Sequence, residues 1–260
     1  MDISSDERER RALAVLCERD QQILDAQPDP VVTAALARPG LSVATTIRTA
    51  IEGYADRPAL GERAAIAVTD SRGRTSRRLL PRFETVSYQE FGARTDAVAA
   101  EFHHCEQCAI GDGDVVALLG TNSVDLLTVD IACTRLGATA LPLQTSASVA
   151  NMRPVVEEAG PRLIASSTEL LHNVVDLAVG SATVRRVLVF DHHPEVDDHR
   201  ERLDAARLTI SESGRDIELV TLAEVLERVG HWNHRRCRRR TQTGCHAFST
   251  PPEVPAGPKG

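Results

Sequence analysis

A chain of 260 residues with 42% hydrophobic content is long enough for one large domain or two small ones around a sizeable core. No run of about 18 apolar residues can span a bilayer, and Met1-Asp2-Ile3-Ser4-Ser5-Asp6-Glu7-Arg8-Glu9-Arg10 lacks the basic-then-apolar order of a secretory signal, so the expected location is the cytoplasm. The net charge of −7 hides a split, with 24 basic and 36 acidic side chains up to Gly230 and six against one in residues 231–260.

Residues 5–27 read as an amphipathic helix, with Leu13, Val15, Leu16, Ile23 and Leu24 among charges, stopped by Gln27-Pro28-Asp29-Pro30. A second helical pattern runs from Ser42 through Ile47 and Ile51 to Tyr54. Ala64–Thr69 and Thr85–Ser87 look like the strands of a long hairpin around the polar insert Asp70-Ser71-Arg72-Gly73-Arg74-Thr75. From Tyr88 onward helix and strand alternate. Phe91, Val98 and Phe102 share a helical face, and Gly111-Asp112-Gly113-Asp114 turns the chain into the unbroken apolar strand Val115–Leu119. Helix 122–136, closed by Gly137, is followed by strand Thr139–Leu143, helix Ser148–Glu158, strand Arg162–Ala165, helix Thr168–Ala178 and strand Val184–Phe190. Ile217–Val220 is a short strand, and Thr221 with Glu224 forms a capping box before a helix over 222–229. Repeated β-α-β units imply a parallel, three-layer α/β sheet.

At Gly230 the periodicity stops. His231-Trp232-Asn233-His234-Arg235-Arg236-Cys237-Arg238-Arg239-Arg240 opens a basic, Pro-rich tail that reads as a solvated, disordered extension. The expected organisation is a helical segment over 1–53, an α/β unit over 54–230 and the tail over 231–260.

Four features invite a functional reading. Gly111–Asp114 precedes its strand, whereas a dinucleotide loop follows one, and Asp112 and Asp114 would repel phosphate, so it reads as a turn. Cys105-x-x-Cys108 beside His103 and His104, with Cys237, Cys245 and His246 downstream, lacks the spacing of a paired zinc knuckle. Six cysteines are sparse, and Cys17 and Cys133 fall in helical apolar patterns, so reduced thiols are expected. Asp191-His192-His193-Pro194-Glu195-Val196-Asp197-Asp198-His199-Arg200 follows a strand where α/β proteins place binding loops; it reads as a hydrated loop whose charges cap the next helix, rather than as a catalytic cluster. The Arg235–Arg240 run could bind nucleic acid through charge alone, but it has no interleaved aromatics, so a non-catalytic interaction protein with a basic tail is the alternative reading. Lys259 is the only lysine, and chemistry that needs a side-chain amine must use it or fail.

Tyr54-Ala55-Asp56-Arg57-Pro58-Ala59-Leu60-Gly61-Glu62-Arg63-Ala64 and Leu79-Leu80-Pro81-Arg82-Phe83-Glu84-Thr85-Val86-Ser87-Tyr88 closely resemble the adenylation domain of actinobacterial carboxylic acid reductases, often catalogued as fatty-acid–CoA ligases. Arg135-Leu136-Gly137-Ala138, Pro142-Leu143-Gln144-Thr145-Ser146 and 190–200 resemble the same group, over about residues 8–230 in all. The resemblance implies the opening, incomplete subdomain of the adenylate-forming enzyme fold. It also implies an activity for the whole protein: a fatty or aromatic carboxylic acid is activated with ATP and Mg2+ to an acyl-adenylate, passed to a phosphopantetheine thiol and reduced with NADPH to an aldehyde. In that family the phosphate loop, nucleotide contacts, acyl pocket, C-terminal lysine, carrier and reductase all follow the position of Gly230. No catalytic, cofactor-binding or metal-ligating residue is therefore carried over, and this chain is expected to be inactive, with no cofactor of its own.

The tail permits one further reading. Taking the third base of each codon over residues 249–260 with the first two of the next allows Tyr-Thr-Ser-Gly-Ser-Thr-Gly-x-Pro-Lys-Gly, the family's phosphate loop. A displaced reading frame near Gly230 is the expectation, with the remainder of the enzyme a candidate complement encoded downstream. The in-frame Gly257-Pro258-Lys259-Gly260 lacks the preceding hydroxyl and glycine donors, and Lys259 is not assigned to phosphate.

Overall fold

The computed structural model describes residues 4–105 and 108–228. The first expected helix is two. Ser4 caps α1 (Ser5–Arg19), but Asp20 adopts an extended conformation and its carboxylate accepts Gln22 N at 2.9 Å, ending one helix and starting α2 (Gln21–Asp25). This is the local competition for backbone donors that keeps Asp at helix ends. The Pro-Asp-Pro stop also starts a helix that the sequence reading omits. Asp29 accepts from Val31 N and Val32 N at 2.7 and 3.2 Å, and Pro30 takes the first position of α3 (Pro30–Leu36), where its missing N–H is harmless. Ser42 caps α4 (Val43–Gly53), which ends at Tyr54 as expected.

Strands β1 (Pro58–Thr69) and β2 (Thr75–Ser87) form an antiparallel hairpin longer than the sequence pattern suggests. Its turn closes on Asp70, whose carboxylate accepts from Arg72 N and Arg74 N at 2.8 and 2.9 Å, with Gly73 at φ 80°. The missed stretch of β2 contains Pro81, which has no N–H to donate; it is tolerated beside the register shift between Arg63 and Ala65. Ser87 ends the hairpin and opens α5 (Tyr88–His104) through a reciprocal capping box with Glu90. Those bonds from Ser87 hold the Glu90 carboxyl below its usual value.

The rest alternates: β3 (Val115–Leu119), α6 (Val124–Leu136), β4 (Thr139–Pro142), α7 (Val149–Ala159), β5 (Leu163–Ser167), a 3-10 turn, α8 (Leu171–Gly180), β6 (Arg186–Phe190), α9 (Asp197–Glu212), β7 (Glu218–Thr221) and α10 over 222–228. Gly137 closes α6 at φ 72°, and Thr221 with Glu224 forms the expected capping box. All five strands are parallel, in the order β4-β3-β5-β6-β7. Ala117, Leu119, Ile164, Val187 and Val189 face α7, α8 and α9, whereas Val116, Leu118, Leu163, Ala165, Leu188 and Phe190 face α5, α6 and α10. The two-residue alternation of a strand thus splits one sheet into two cores, and the expected three-layer α/β architecture is present.

One charge lies inside the second core. Arg186, fully buried, sits in register between Leu163 and Glu218. Its Nη2 donates to Glu101 at 2.9 Å, and its Nε lies 3.0 Å from Glu218 but out of line for a hydrogen bond. Arg228 joins the same carboxylates, 3.1 Å from Glu218 and 3.5 Å from Glu101, so two arginines and two glutamates tie α5 and α10 to the amino end of the sheet.

Candidate functional site

In an open parallel sheet, ligands bind outside the carboxyl ends of the strands where the strand order reverses. Here that point lies between β3 and β5, because β4 adds to one side of β3 and β5 to the other. Gly120 follows β3 there. A Cβ at Gly120 would stand 2.5 Å from the Phe190 ring, so the ring can close over the strand end only because the side chain is absent.

Asp191, next after Phe190, has φ 53°, an unusual conformation for a residue other than glycine. Three residues hold it. Its N–H donates to Asp125 on α6 at 3.1 Å, its carboxyl bonds the Ser123 side chain, and Thr168 Oγ1 donates to its carbonyl at 3.3 Å. Asp125 is itself paired with Arg94 of α5. Burial, then the charge of Asp125, pushes the Asp191 carboxyl up to about 7, so this group can hold or release a proton near neutrality.

The hairpin lies across the same edge. Glu62 Oε1 accepts from Val124 N, the first residue of α6, at 2.5 Å. At the turn, Arg74 pairs with Asp198 and Glu201 of α9, and Thr75 N donates to Asp197 at 2.5 Å. These contacts raise the pKa of Arg74 and lower those of Asp198 and Glu201.

The loop over 191–200 is partly hydrated, with Pro194, Glu195, Asp198 and Arg200 exposed and Val196 buried. Helix α9 begins at Asp197 with no side-chain cap, because its N-cap residue is Val196, and its first-turn carboxylates hold the hairpin. The loop's histidines pack together. His193 N donates to His199 Nδ1 at 3.0 Å, which fixes the His199 proton on Nε2, 3.8 Å from Glu169. Burial is the first cause that holds His192, His193 and His199 below the usual imidazole value, seconded for His193 by Arg77.

The other motifs lie elsewhere. Gly111–Asp114 is a turn at the amino edge, closed by Gly111 N on Asp114 at 2.9 Å with Gly113 at φ 80°. Cys105 and Cys108 follow α5. Cys108 packs into the core and donates to Arg162 O, and among the described residues no three His, Cys, Asp or Glu converge where a metal could sit. Cys17, Cys105, Cys108 and Cys133 are free thiols. Burial pushes Cys108 up to about 11 and Cys133 up to about 12. Mapping a maleimide-type label by peptide therefore finds Cys17 and Cys105 modified in minutes, with Cys108 and Cys133 protected until denaturant is added. Cys237, Cys245, His246, the arginine run and Lys259 lie outside the described residues.

Glu62, Asp125, Glu169 and Asp191 make this edge acidic. Its cation Arg94 is already paired with Asp125, and the first N–H of α6 is taken by Glu62. Glu62, Asp125, Glu169, Asp191 and the paired Arg94 therefore offer no free donor to the phosphates of a nucleotide. Sequence reasoning placed Asp191 in a loop after a strand but missed its partner Asp125 and the hairpin clasp. The one available signal was Asp directly after a buried strand, a residue that tolerates the left-handed region.

Comparison with known proteins gives this edge a context. Residues 49–224 match the AMP-binding enzyme family. The carboxylic acid reductase of Mycobacterium tuberculosis is 46% identical over 86% of this chain, which spans 19% of that protein's length. The solved adenylation domain of the Mycobacterium chelonae carboxylate reductase superposes with a TM-score of 0.82 at 39% identity, over 88% of this chain and 35% of that one. The adenylation–carrier didomain of the Segniliparus rugosus enzyme, solved with AMP, superposes at 0.81 and 39%, over 85% and 31%. The three-layer sheet with its clasped hairpin is thus an adenylation-domain architecture, and the chain belongs to the AMP-binding enzyme family.

Proposed function

We propose that the chain is the N-terminal portion of the adenylation domain of a carboxylic acid reductase of the fatty-acid–CoA ligase type. The complete enzyme would act in the cytoplasm on a fatty or aromatic acid, using ATP and Mg2+ to form an acyl-adenylate, then a phosphopantetheine thiol and NADPH to reach the aldehyde. The observation that carries this is identity of 39–46% over 85–87% of the chain to three carboxylic acid reductases, of which it spans only 18–19%. Among the described residues no helix is long and apolar enough to cross a membrane, in keeping with a cytoplasmic enzyme.

Activation of a carboxylate replaces a poor leaving group with AMP, whose departure requires stabilisation of its developing charge. The acidic edge formed by Glu62, Asp125 and Asp191 opposes that charge, so we assign the ATP phosphate contacts to residues other than these. The 260-residue polypeptide on its own is accordingly inactive. Carboxylate-dependent ATP–pyrophosphate exchange on the purified chain stays at the level of a blank; exchange clearly above it overturns the assignment. The frame displacement near Gly230 remains part of this reading, and the DNA over codons 249–260 decides it.

A further inference from the structure

A cavity of about 880 Å3 opens between the N-terminal helices and the base of the hairpin. Its walls include Asp25 of α2, Tyr54, Asp56 and Arg57 of the link from α4 into β1, and Tyr88 at the start of α5, so it shares no residue with the acidic edge. Small-molecule sites occupy about 300–1,000 Å3 and combine apolar walls with a few convergent polar groups. The chain has two tyrosines, and both line this cavity, their ring centres 5.8 Å apart and their planes tilted by 46°.

The donors around the cavity are already spent. The Arg57 guanidinium lies 4.7 Å from the centre of the Tyr54 ring, and its Nη1 donates to Gln27 O at 2.7 Å. The start of α5 would attract an anion, but its N–H groups are taken. Tyr88 N and Gln89 N donate to Arg57 O and Ala55 O at 3.0 and 2.9 Å, and Glu90 N donates to Ser87 Oγ at 3.2 Å. The acceptors, by contrast, are open. Asp56 is exposed and has no hydrogen bond or ion pair among the described residues. Asp25 accepts from Gln21 Nε2 at 2.7 Å, which leaves lone pairs over. Two carboxylates against one guanidinium make the lining net negative.

We propose that this cavity binds a small organic cation, an ammonium group on an apolar or aromatic stem, with its charge against Asp25 and Asp56 and its stem against Tyr88. Arg57 on the Tyr54 ring is the same attraction already satisfied within the chain, whereas the half-buried Tyr88 ring carries no cation among the described residues. The inference stands apart from the adenylating function, whose substrate is an acid of opposite charge.

The test titrates the 260-residue chain, isotope-labelled on its tyrosine rings, with phenethylammonium and follows the ring signals by NMR. Both signals come from the cavity, so every shift reports on it. Saturable shifts are expected, weakened by added salt. Phenylacetate, similar in size and opposite in charge, leaves the signals unmoved. Asp25→Asn/Asp56→Asn weakens binding of the amine about tenfold at an unchanged melting temperature, because both carboxylates are exposed. Signals that do not move with the amine overturn the proposal, as does equal affinity for phenylacetate. A double variant that binds the amine as tightly as the wild type also overturns it. None of these outcomes bears on exchange activity, so failure here is distinct from failure of the adenylation reading.

Discussion

Replacing Arg186 by methionine lowers the stability of the fold by about 3–5 kcal/mol, the range for removing one member of a buried ion network. The arginine is fully buried, and Glu101 and Glu218, which meet it, are 15% and 26% exposed. Without its guanidinium two carboxylates stay close together in the core with only the half-exposed Arg228 between them. Against a total margin of about 5–15 kcal/mol, that loss brings the chain near its unfolding threshold. Urea titration measures it as a fall in midpoint at constant slope. Arg186→Met combined with Glu101→Leu and Glu218→Leu recovers most of the loss, because well-packed apolar replacements remove the desolvation along with the charges. A single-variant loss under about 1 kcal/mol shows that solvent reaches the network.

Asp191→Asn stabilises the fold at neutral and alkaline pH but not in acid. The native carboxyl titrates at about 7 instead of the ordinary 3.8, so between those values the native state binds more protons than the unfolded one. Stability from this group is therefore complete below about pH 4 and is lost as pH rises to about 7. Asparagine carries no such titration and tolerates the positive φ of this position. The stability difference between variant and wild type grows from pH 4 to 7 and levels off above it. Its upper bound is about 4 kcal/mol, at 1.36 kcal/mol per pKa unit. The neighbouring histidines titrate in both proteins and cancel in the difference. A difference independent of pH from 4 to 8 means that Asp191 ionises freely in the native state.

The parallel sheet was legible because its strands are short apolar runs between glycine turns and capped helices, as at Val115–Leu119 and Ser123–Gly137. Helix α9 was not. Only Leu203, Ala206 and Ile210 are buried among its sixteen residues, too sparse a stripe to reveal a helical period. Most of strand β2, residues 75–84, escaped notice for a different reason. It is exposed on nearly every residue and interrupted by Pro81, so no alternation marks it, and it is held as a strand by its partner β1. The resemblance to the reductases came from short, specific segments such as Tyr54–Ala64 and Leu79–Tyr88, which lie at the base and outer strand of that hairpin. The proton-holding site was invisible because Asp125 and Asp191 are 66 residues apart and meet only when β3, β5 and β6 are side by side.

The clasp between the hairpin turn and α9 orders the events of folding. Arg74 and Asp198 are 124 positions apart, and the sheet that brings them together is built from the segment between them. Closing so long a loop is entropically expensive until the intervening pairings exist. During synthesis the hairpin therefore emerges early but seats late, after β6 has paired and α9 has left the ribosome. In that interval Arg74 and Thr75 lack their partners on α9.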